Sequence, residues 1–180
     1  MKTPKRLESL QEDGLIDEVV RSLMSGKEAS VYVVRCGDEL RCAKVYKEAN
    51  KRSFRQAAEY QEGRKVRSSR ATRAALPPLR AQRDAALFRL ASAGVRVPSP
   101  YDFQDGVLLM ELVTDGHGEV APRLNDVAMS PEDAREFHAF MIREIVKMLC
   151  AGLVHGDLSE FNVLLGPDGP VIIDLPQAVD

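Results

Sequence analysis

The sequence predicts an α+β fold in which an antiparallel sheet comes first and a mainly helical region follows it. Between Val19 and Tyr46 the runs "VVRSLM", "SVYVVRC" and "LRCAKVY" are separated by the polar segments "SGKEA" and "GDE". Short runs rich in valine and tyrosine between turn residues indicate strands. Beyond Thr114 the apolar residues recur at helical spacing as far as Gly152, which indicates a long helix.

Length and composition limit the class of protein. The chain has 180 residues, of which 44% are hydrophobic, and a formal net charge of -2. It can fill the core of one domain or of two small lobes that share a cleft. Its three cysteines lack the spacing of a disulfide framework or of a zinc site, which favours the reducing cytoplasm. We find no signal-peptide pattern and no apolar run near the ~20 residues of a membrane helix.

The first elements are expected to be strands. Residues 19–46 predict a meander of three antiparallel strands joined by tight turns. In the segment that follows, Pro77 and Pro78 should end any helix that begins before them. The run "DAALFRLASAG" then predicts a helix that stops at Gly94. The run "YDFQDGVLLMELV" predicts a hairpin that turns at Asp105 and Gly106.

The later elements are a helix and a second hairpin. Ser130 followed by proline and two acids is a pattern typical of a helix N-terminus. An apolar stripe along this helix, expected to belong to the core, consists of Phe137, Met141, Ile145 and Leu149. The runs "NVLL" and "VIID", linked by "GPDG", predict a compact hairpin with Asp174 at the end of its second strand.

Polar residues interrupt the apolar segment "LVHGDLSEFNVLL" between the helix and this hairpin. Asp157 is followed five positions later by Asn162, and Asp174 lies just downstream. Phosphoryl transfer needs a carboxylate that orients the nucleophile, together with amide and carboxylate oxygens that hold Mg²⁺ against the nucleotide phosphates. Because hard cations prefer oxygen ligands, Asn162 and Asp174 fit magnesium better than zinc.

A structural alternative is that Asp157 and Asn162 are turn formers, as these residue types often are. Two further features favour catalysis. His155 stands two residues before Asp157, so that the spacing matches the H-x-D-L-x-x-x-N catalytic loop of protein kinases. Lys44 lies in the third predicted strand, where a kinase places the lysine that pairs with the phosphates.

The segments "LMSGKEASVYVV", "CAKVYKEA", "AGVRVPSPYDF", "LLMELV", "LVHGDLSEFNVLL" and "VIIDLPQAVD" together resemble an atypical kinase of the RIO family, closest to bacterial members related to its first subfamily. The resemblance covers most of the chain except about residues 68–83. It implies a bilobal kinase fold, with an ATP-binding lobe and hinge over residues 1–113 and a partial C-terminal lobe over residues 114–180. It also implies MgATP binding and phosphoryl transfer to serine, or an ATPase with an aspartyl-phosphate intermediate.

The resemblance assigns roles to individual positions. Asp157 is expected to be the catalytic base and Lys44 to contact the α- and β-phosphates. Asn162 and Asp174 are expected to bind Mg²⁺, with Asp174 as the phosphoacceptor of the ATPase reaction. Residues expected over the triphosphate are Ser25, Gly26, Lys27, Glu28 and Ser30. Residues expected to form the adenine hinge, largely through backbone groups, are Met110, Glu111 and Val113.

The sequence departs from the family pattern in two places. Where the helix glutamate that pairs with Lys44 is expected, the chain has Arg83, with Asp84 beside it. Either Asp84 substitutes for the glutamate or Lys44 lacks that partner. The family also continues through further helices after the point at which this chain ends, at Asp180, so the long helix is expected to expose apolar surface.

Three alternative functions were weighed. A P-loop is disfavoured because "SGKEAS" has Arg21 where the motif needs glycine and Glu28 where it needs serine or threonine. An aminoglycoside-type or other small-molecule phosphotransferase shares the H-G-D and Asn pattern, although "GKEA" and "DLPQ" argue against it. A nucleotide-binding regulatory module with impaired catalysis predicts ATP binding without turnover.

Basic residues cluster between Lys51 and Arg83. Such a cluster can bind RNA phosphates, and the RIO family is associated with ribosome maturation. A solvated loop is the favoured interpretation, because the only stacking residues there are Phe54 and Tyr60. RNA contact through this stretch is the alternative.

Overall fold

The computed structural model describes residues 4–47 and 85–175. They belong to two compact units, one drawn from Met1–Gln82 and Phe103–Leu108 and the other from Arg83–Asp102 and Leu109–Asp180. The division into lobes at residue 113 stays a prediction. The basic stretch 51–83, with Arg83 and Asp84, lies outside the described residues. Among the described residues, no helix has the length and apolar character needed to cross a bilayer.

The first unit begins with helix α1, Lys5–Glu12, which the sequence analysis did not predict. Strands β1, Glu18–Ser25, β2, Ala29–Cys36, and β3, Glu39–Tyr46, follow it. Helix α1 forms because Leu7 and Leu10, one helical turn apart, are both buried, as is Ile16 just beyond it. The three strands confirm the predicted meander, with β2 antiparallel to both neighbours.

The pairing of these strands determines which side chains lie opposite each other. Ser25 lies opposite Ser30 across β1 and β2, and Val31 lies opposite Lys44 across β2 and β3. Register shifts interrupt β1, whereas β2 and β3 pair residue by residue without a break. Because side chains alternate along a strand, this unbroken register determines which face of the sheet carries Lys44.

The predicted hairpin is formed by β4, Pro100–Gln104, and β5, Val107–Glu111. Its two turn residues, Asp105 and Gly106, have φ angles of 50° and 75°. A two-residue turn with positive φ at both positions matches the twist of antiparallel strands, which explains the preference for Asp-Gly there. The complete sheet has the order β1-β2-β3-β5-β4. Before the hairpin, residues 85–92 are helical (α2), and Gly94 with φ 72° follows them.

The long helix α3, Pro131–Cys150, begins as predicted at Ser130. The Ser130 side chain accepts a hydrogen bond from the Asp133 N–H, and Asp133 accepts one from the Ser130 N–H, which is a capping box. The prediction for the apolar stripe is wrong at its C-terminal end. Leu149 is 55% exposed, and the buried positions are Glu144 and Met148.

The prediction failed because the buried face of α3 contains the carboxylate of Glu144. Hydropathy alone places a glutamate on the solvent-exposed face of a helix. The predicted exposed apolar surface is present on another face of α3, at spacings of three and four residues. The exposed apolar side chains of this face are Ile142, Val146 and Leu149.

The second hairpin consists of β6, Val163–Gly166, and β7, Gly169–Ile172. Its existence confirms the prediction, but Asp174 does not belong to the strand. Strand β7 ends at Ile172, and Asp174 has a φ of 57°, which is incompatible with an extended strand. A small core of Val113, Ala121 and Val171, with Leu164 packed against it, supports this hairpin in the second unit.

Candidate active site

The turn between β1 and β2, residues 25–30, is called the phosphate turn below. The Gly26 N–H donates to the Ala29 carbonyl at 2.9 Å, and the Ser25 and Ser30 hydroxyl oxygens lie 3.0 Å apart. The structure therefore gathers into one tight turn the residues predicted to cover the triphosphate, namely Ser25, Gly26, Lys27, Glu28 and Ser30. Backbone N–H groups and hydroxyls in such a turn are suited to phosphate oxygens.

Lys47 also contacts this turn, and the sequence analysis missed it. Its Nζ donates to the Gly26 carbonyl at 2.6 Å and to the Ser25 hydroxyl at 3.1 Å. Its backbone N–H donates to the Glu28 carbonyl at 2.8 Å. Lys47 therefore joins the end of β3 to the phosphate turn. A sequence signal existed, because Lys47 lies immediately after the strand that carries Lys44.

Lys44 lies within β3, as predicted, with its Nζ 5.6 Å from the centre of the Tyr46 ring. Cys42, two residues earlier, is on the same face of the strand. Burial raises the pKa of the Cys42 thiol to about 12, while the charge of Lys44 acts in the opposite direction. Cys42 is therefore a neutral buried thiol, whereas Cys36 is only half-buried.

The predicted hinge lies at the end of β5 in the second unit. The Glu111 N–H donates to the Ser99 carbonyl at 2.8 Å, and the Val113 carbonyl accepts from the Ala121 N–H at 3.0 Å. The Glu111 carboxylate accepts two hydrogen bonds from Arg96, at 2.8 and 2.9 Å. The hydrogen bond from Arg96 holds the pKa of Glu111 below its usual range. The Glu111 side chain is thus occupied by Arg96, and the contact of the hinge backbone with an adenine stays a prediction.

The loop of residues 153–162, which is predicted to be catalytic and is called the catalytic loop below, is organised around His155, which is only 3% exposed. The His155 Nδ1 accepts from the Asp157 N–H at 3.2 Å, and its Nε2 lies 3.1 Å from the Ile173 carbonyl oxygen. Since a carbonyl can only accept, these contacts require the neutral tautomer with the proton on Nε2. His155 therefore joins the backbone of Asp157 to the segment that leads into Asp174.

Asn162 fixes the other end of the loop. Its Nδ2 donates to the Asp157 carbonyl oxygen at 2.8 Å and lies 3.3 Å from the Asp157 carboxylate oxygen Oδ2. Because the amide nitrogen is engaged in this way, the Asn162 Oδ1 remains the atom that can bind a cation. The Asn162 carbonyl accepts from the Ile173 N–H at 2.9 Å, which places Asp174 one residue beyond a direct backbone link.

The residues present fit a magnesium nucleotide better than a closed metal site. No group of three or more histidine, cysteine, aspartate or glutamate side chains that could hold a metal lies within residues 4–47 and 85–175. One amide and one carboxylate provide only part of an octahedral shell, and Mg²⁺ usually completes it with phosphate oxygens and water. Asp157 and Asp174 are both exposed, so substrate and cation can reach their carboxylates.

The structure thus brings the predicted residues together in two groups. The first unit holds the phosphate turn and Lys44, and the second holds the hinge, Asp157, Asn162 and Asp174. Side chains that the sequence analysis missed are Lys47, Arg96 and Glu144. The sequence held a signal for Glu144, because it lies one helical turn before Met148 on an amphipathic helix. A carboxylate on the apolar face of such a helix needs a hydrogen-bond partner.

Comparison with known proteins decides the family. The family model described as RIO domain matches residues 30–180. The chain belongs to the RIO domain family.

Two relatives illustrate the similarity. A RIO-type serine/threonine-protein kinase Rio1 of Haloferax volcanii is 40% identical over 179 residues, which cover 94% of this chain and 58% of that protein. The serine/threonine-protein kinase rio1 of Schizosaccharomyces pombe is 30% identical over 99% of this chain and 37% of its own length. This RIO domain chain therefore spans from a third to somewhat over half of these two relatives.

A solved structure supports the fold. The Rio2 kinase of Chaetomium thermophilum, in a complex with ADP/Mg²⁺ and phosphoaspartate, matches with a TM-score of 0.65 and 22% identity, over 97% of this chain and 52% of that one. At this identity the likeness concerns the fold alone. The predicted α+β, kinase-like fold of the RIO type is confirmed.

Proposed function

We propose that this chain binds MgATP and transfers the γ-phosphoryl group to a serine hydroxyl, in another protein or in itself. The observation that carries the proposal is the pair of hydrogen bonds by which His155 and Asn162 hold Asp157 next to the segment ending at Asp174. The names of the RIO relatives, which are serine/threonine-protein kinases, support a protein substrate.

Each residue has a role in the proposed reaction. Asp157 orients the serine hydroxyl and accepts its proton as the oxygen attacks the γ-phosphorus and the bond to ADP breaks. Asn162, through Oδ1, and Asp174 hold Mg²⁺, which offsets the negative charge of the phosphates. Lys44 and the phosphate turn bind the phosphates, while the backbone of Met110, Glu111 and Val113 contacts the adenine.

The first test is whether the nucleotide binds. A ligand that binds only the folded chain stabilises it by about 2.7 kcal/mol when present at a hundred times its Kd. We expect the melting temperature to rise with MgATP and to rise less with ATP in the presence of EDTA. A transition that MgATP does not move would contradict the proposed function.

The second test is the replacement of Asp157. In Asp157→Asn we expect the rate of serine phosphorylation to fall about 10²–10⁴-fold, the usual contribution of a positioned general base, with ATP affinity largely kept. Asp38→Asn, in the exposed turn between β2 and β3, is the matched control and should keep the wild-type rate. Normal turnover by Asp157→Asn would exclude Asp157 as the base.

A second output of the same site is ATP hydrolysis through a phosphorylated Asp174. The exposed Asp174 carboxylate and its left-handed backbone, φ 57°, favour this candidate, because strained backbone at a loop is often associated with function. In this reaction a carboxylate oxygen attacks the γ-phosphorus, ADP leaves, and water then releases phosphate. We expect a hydroxylamine-sensitive label from γ-labelled ATP that is absent in Asp174→Asn.

The alternatives give different results in these assays. A catalytically impaired regulatory module would show the MgATP melting shift without turnover. A small-molecule phosphotransferase of the aminoglycoside type would phosphorylate a panel of small hydroxyl compounds but no protein. The pairing of Lys44 with Asp84 in place of the expected glutamate is tested by ATP affinity in Asp84→Asn.

Two finer predictions concern the location of the protein in the cell and its contact with RNA. We propose a cytoplasmic location, supported by cysteines that form no disulfide within the described residues. RNA contact through stretch 51–83 is the alternative to a solvated loop, and it predicts RNA binding that weakens steeply as salt increases. Binding that salt does not change, or no binding, would exclude it.

A further inference from the structure

Arg96 lies in the segment between helix α2 and strand β4, and its side chain is directed at the hinge strand. The guanidinium makes two parallel hydrogen bonds to Glu111, Nη1 to Oε2 at 2.9 Å and Nη2 to Oε1 at 2.8 Å. Such a two-pronged contact fixes orientation as well as distance, which a lysine cannot do. The Glu111 backbone N–H is held by Ser99 in addition, so the end of β5 is tied at two points.

The backbone of Arg96 is held from the opposite direction by helix α3. The Arg96 N–H donates to the Glu144 Oε2 at 2.7 Å, and Glu144 is only 2% exposed. The other carboxylate oxygen of Glu144 accepts from Lys147 Nζ at 2.7 Å, and the same Nζ donates to the Gly94 carbonyl at 3.0 Å. A buried carboxylate persists only when its hydrogen bonds are made, so this arrangement has little freedom.

The Arg96 carbonyl makes a third connection, to the second hairpin. It accepts from the N–H of Ile172, the last residue of β7, at 2.9 Å. The next residue, Ile173, donates to the Asn162 carbonyl and has its own carbonyl next to His155 Nε2. Asp174 follows directly. The chain of contacts therefore runs from Glu111 through Arg96 to Ile172 and on to Asn162 and Asp174.

We propose that Arg96 is a positioning residue, which couples the adenine hinge to the magnesium-binding segment, with the buried Glu144 holding its backbone in place. This inference rests on the proposed function for its kinetic consequence, while the coupling itself belongs to the fold. Its side-chain arm, the pair of hydrogen bonds from the guanidinium to Glu111, affects nucleotide affinity. Its backbone arm, the hydrogen bond from the Ile172 N–H to the Arg96 carbonyl, affects the placement of Asn162 and Asp174.

The two arms can be separated by substitution. Arg96→Lys keeps the charge and loses the fork to Glu111, whereas Glu144→Gln keeps the shape of the side chain and weakens the hold on the Arg96 backbone. The matched controls are Arg135→Lys and Glu132→Gln, a pair of the same type on α3 with exposed side chains. Within the described residues, neither control residue forms a hydrogen bond or ion pair with the hinge or with the second hairpin.

The first readout is hydrogen exchange of the nucleotide-free chain. In Glu144→Gln we expect the amides of Ile172 and Ile173 to exchange at least about tenfold faster than in wild type, since a charge-assisted hydrogen bond is weakened. Each exchange rate is divided by that of the Leu10 amide in α1, which serves as an internal reference because it lies in the first unit. The controls should leave all these rates unchanged. Unchanged exchange at Ile172 and Ile173 in Glu144→Gln would overturn the coupling.

The second readout is kinetic. We expect Arg96→Lys to raise the KM for ATP about fivefold or more with kcat within about twofold of wild type, because the side-chain arm acts on binding. Glu144→Gln should instead raise the Mg²⁺ concentration needed for half-maximal rate by a similar factor. A merely structural ion pair would change the melting temperature in both variants without this split, and that result would overturn the positioning role.

The two failures are distinguishable. If the wild-type chain neither binds MgATP nor transfers phosphate, the proposed function is contradicted, while the exchange experiment still decides the coupling because it uses no nucleotide. If Glu144→Gln does not fold, Arg96→Ala tests the side-chain arm instead, because it keeps the backbone groups and removes the fork to Glu111 together with the bond to the Val97 carbonyl. Exchange in β5 should then rise more than exchange in β7, and equal rises in both strands would overturn the separation of the two arms.

Discussion

The phosphate turn of the first unit and the catalytic loop of the second differ in what holds their side chains. In the phosphate turn, antiparallel pairing places Ser25 opposite Ser30, and a backbone bond and the Lys47 side chain close the turn. In the catalytic loop, side chains do this work: His155 contacts the Ile173 carbonyl, 18 positions away, and Asn162 donates to the Asp157 carbonyl. The first arrangement depends on local periodicity, and the second depends on particular buried polar groups.

The difference also appears in the backbone. Gly156, between His155 and Asp157, has a φ of 78°, and Asp174 has a φ of 57°. The glycine of the phosphate turn, Gly26, does not have positive φ, and a Cβ there would lie 3.5 Å from the Ala29 carbonyl oxygen, an ordinary contact. Gly156 adopts this conformation because it has no Cβ, whereas an L-residue is disfavoured there, so the catalytic loop should be more sensitive to substitution of its glycine than the phosphate turn.

The largest expected effect comes from His155→Phe, which removes both hydrogen bonds of the buried imidazole. Two backbone groups lose their partner, at about 1–3 kcal/mol each, so we expect the free energy of unfolding to fall by about 2–6 kcal/mol. His138→Phe, on the exposed face of α3, is the control and should stay within about 0.5 kcal/mol. Urea denaturation of both variants measures this, and equal stabilities would contradict the role of His155.

A smaller effect is expected from the two glycines. Gly156→Ala should cost about 1–2 kcal/mol, because an L-residue is disfavoured in the left-handed region. Gly26→Ala should change stability by no more than about 0.5 kcal/mol, since its backbone is not strained. Thermal unfolding of both variants provides the comparison. A larger loss for Gly26→Ala than for Gly156→Ala would reverse the proposed difference between the two regions.

The smallest effect is the pH dependence contributed by Glu111. The Arg96 hydrogen bond lowers the pKa of Glu111, so its stabilisation is present above the pKa of the unfolded chain. It is lost as pH falls through the folded value. The stability difference between wild type and Glu111→Gln should therefore shrink on acidification from pH 6, by about 1 kcal/mol or less.

The control for this prediction lies in the first unit. The Arg35 and Glu18 pair has more exposed side chains, at 43% and 56%, than Arg96 and Glu111, at 33% and 25%. At pH 7, Glu18→Gln should cost less stability than Glu111→Gln, because water screens an exposed pair more strongly. Melting curves of wild type and Glu111→Gln between pH 3 and pH 6 test the pH dependence, and a larger loss at pH 7 for Glu18→Gln would count against the role of Arg96.

Local patterns in the sequence determined the meander, the Asp105–Gly106 hairpin, the Ser130 cap and the second hairpin, and the structure confirms them. They could be predicted because alternation, turn chemistry and capping act between residues close in the chain. Six segments, among them those that contain Lys44 and the motif from His155 to Asn162, carried the RIO resemblance, which the family comparison confirms. The roles of these site residues stay predictions.

Only the tertiary structure decided which face of α3 is buried, that Asp174 leaves the strand, and that α1 packs its leucines inward. It also decided that Arg96 joins Glu111, Glu144 and Ile172, partners that lie 15, 48 and 76 positions away along the chain. A carboxylate such as Glu144 looks like a solvent-facing residue until its partners are known. The physical reason is that a charge can be buried only when other groups satisfy its hydrogen bonds. These groups lie far away along the chain, so residue spacing does not indicate which they are.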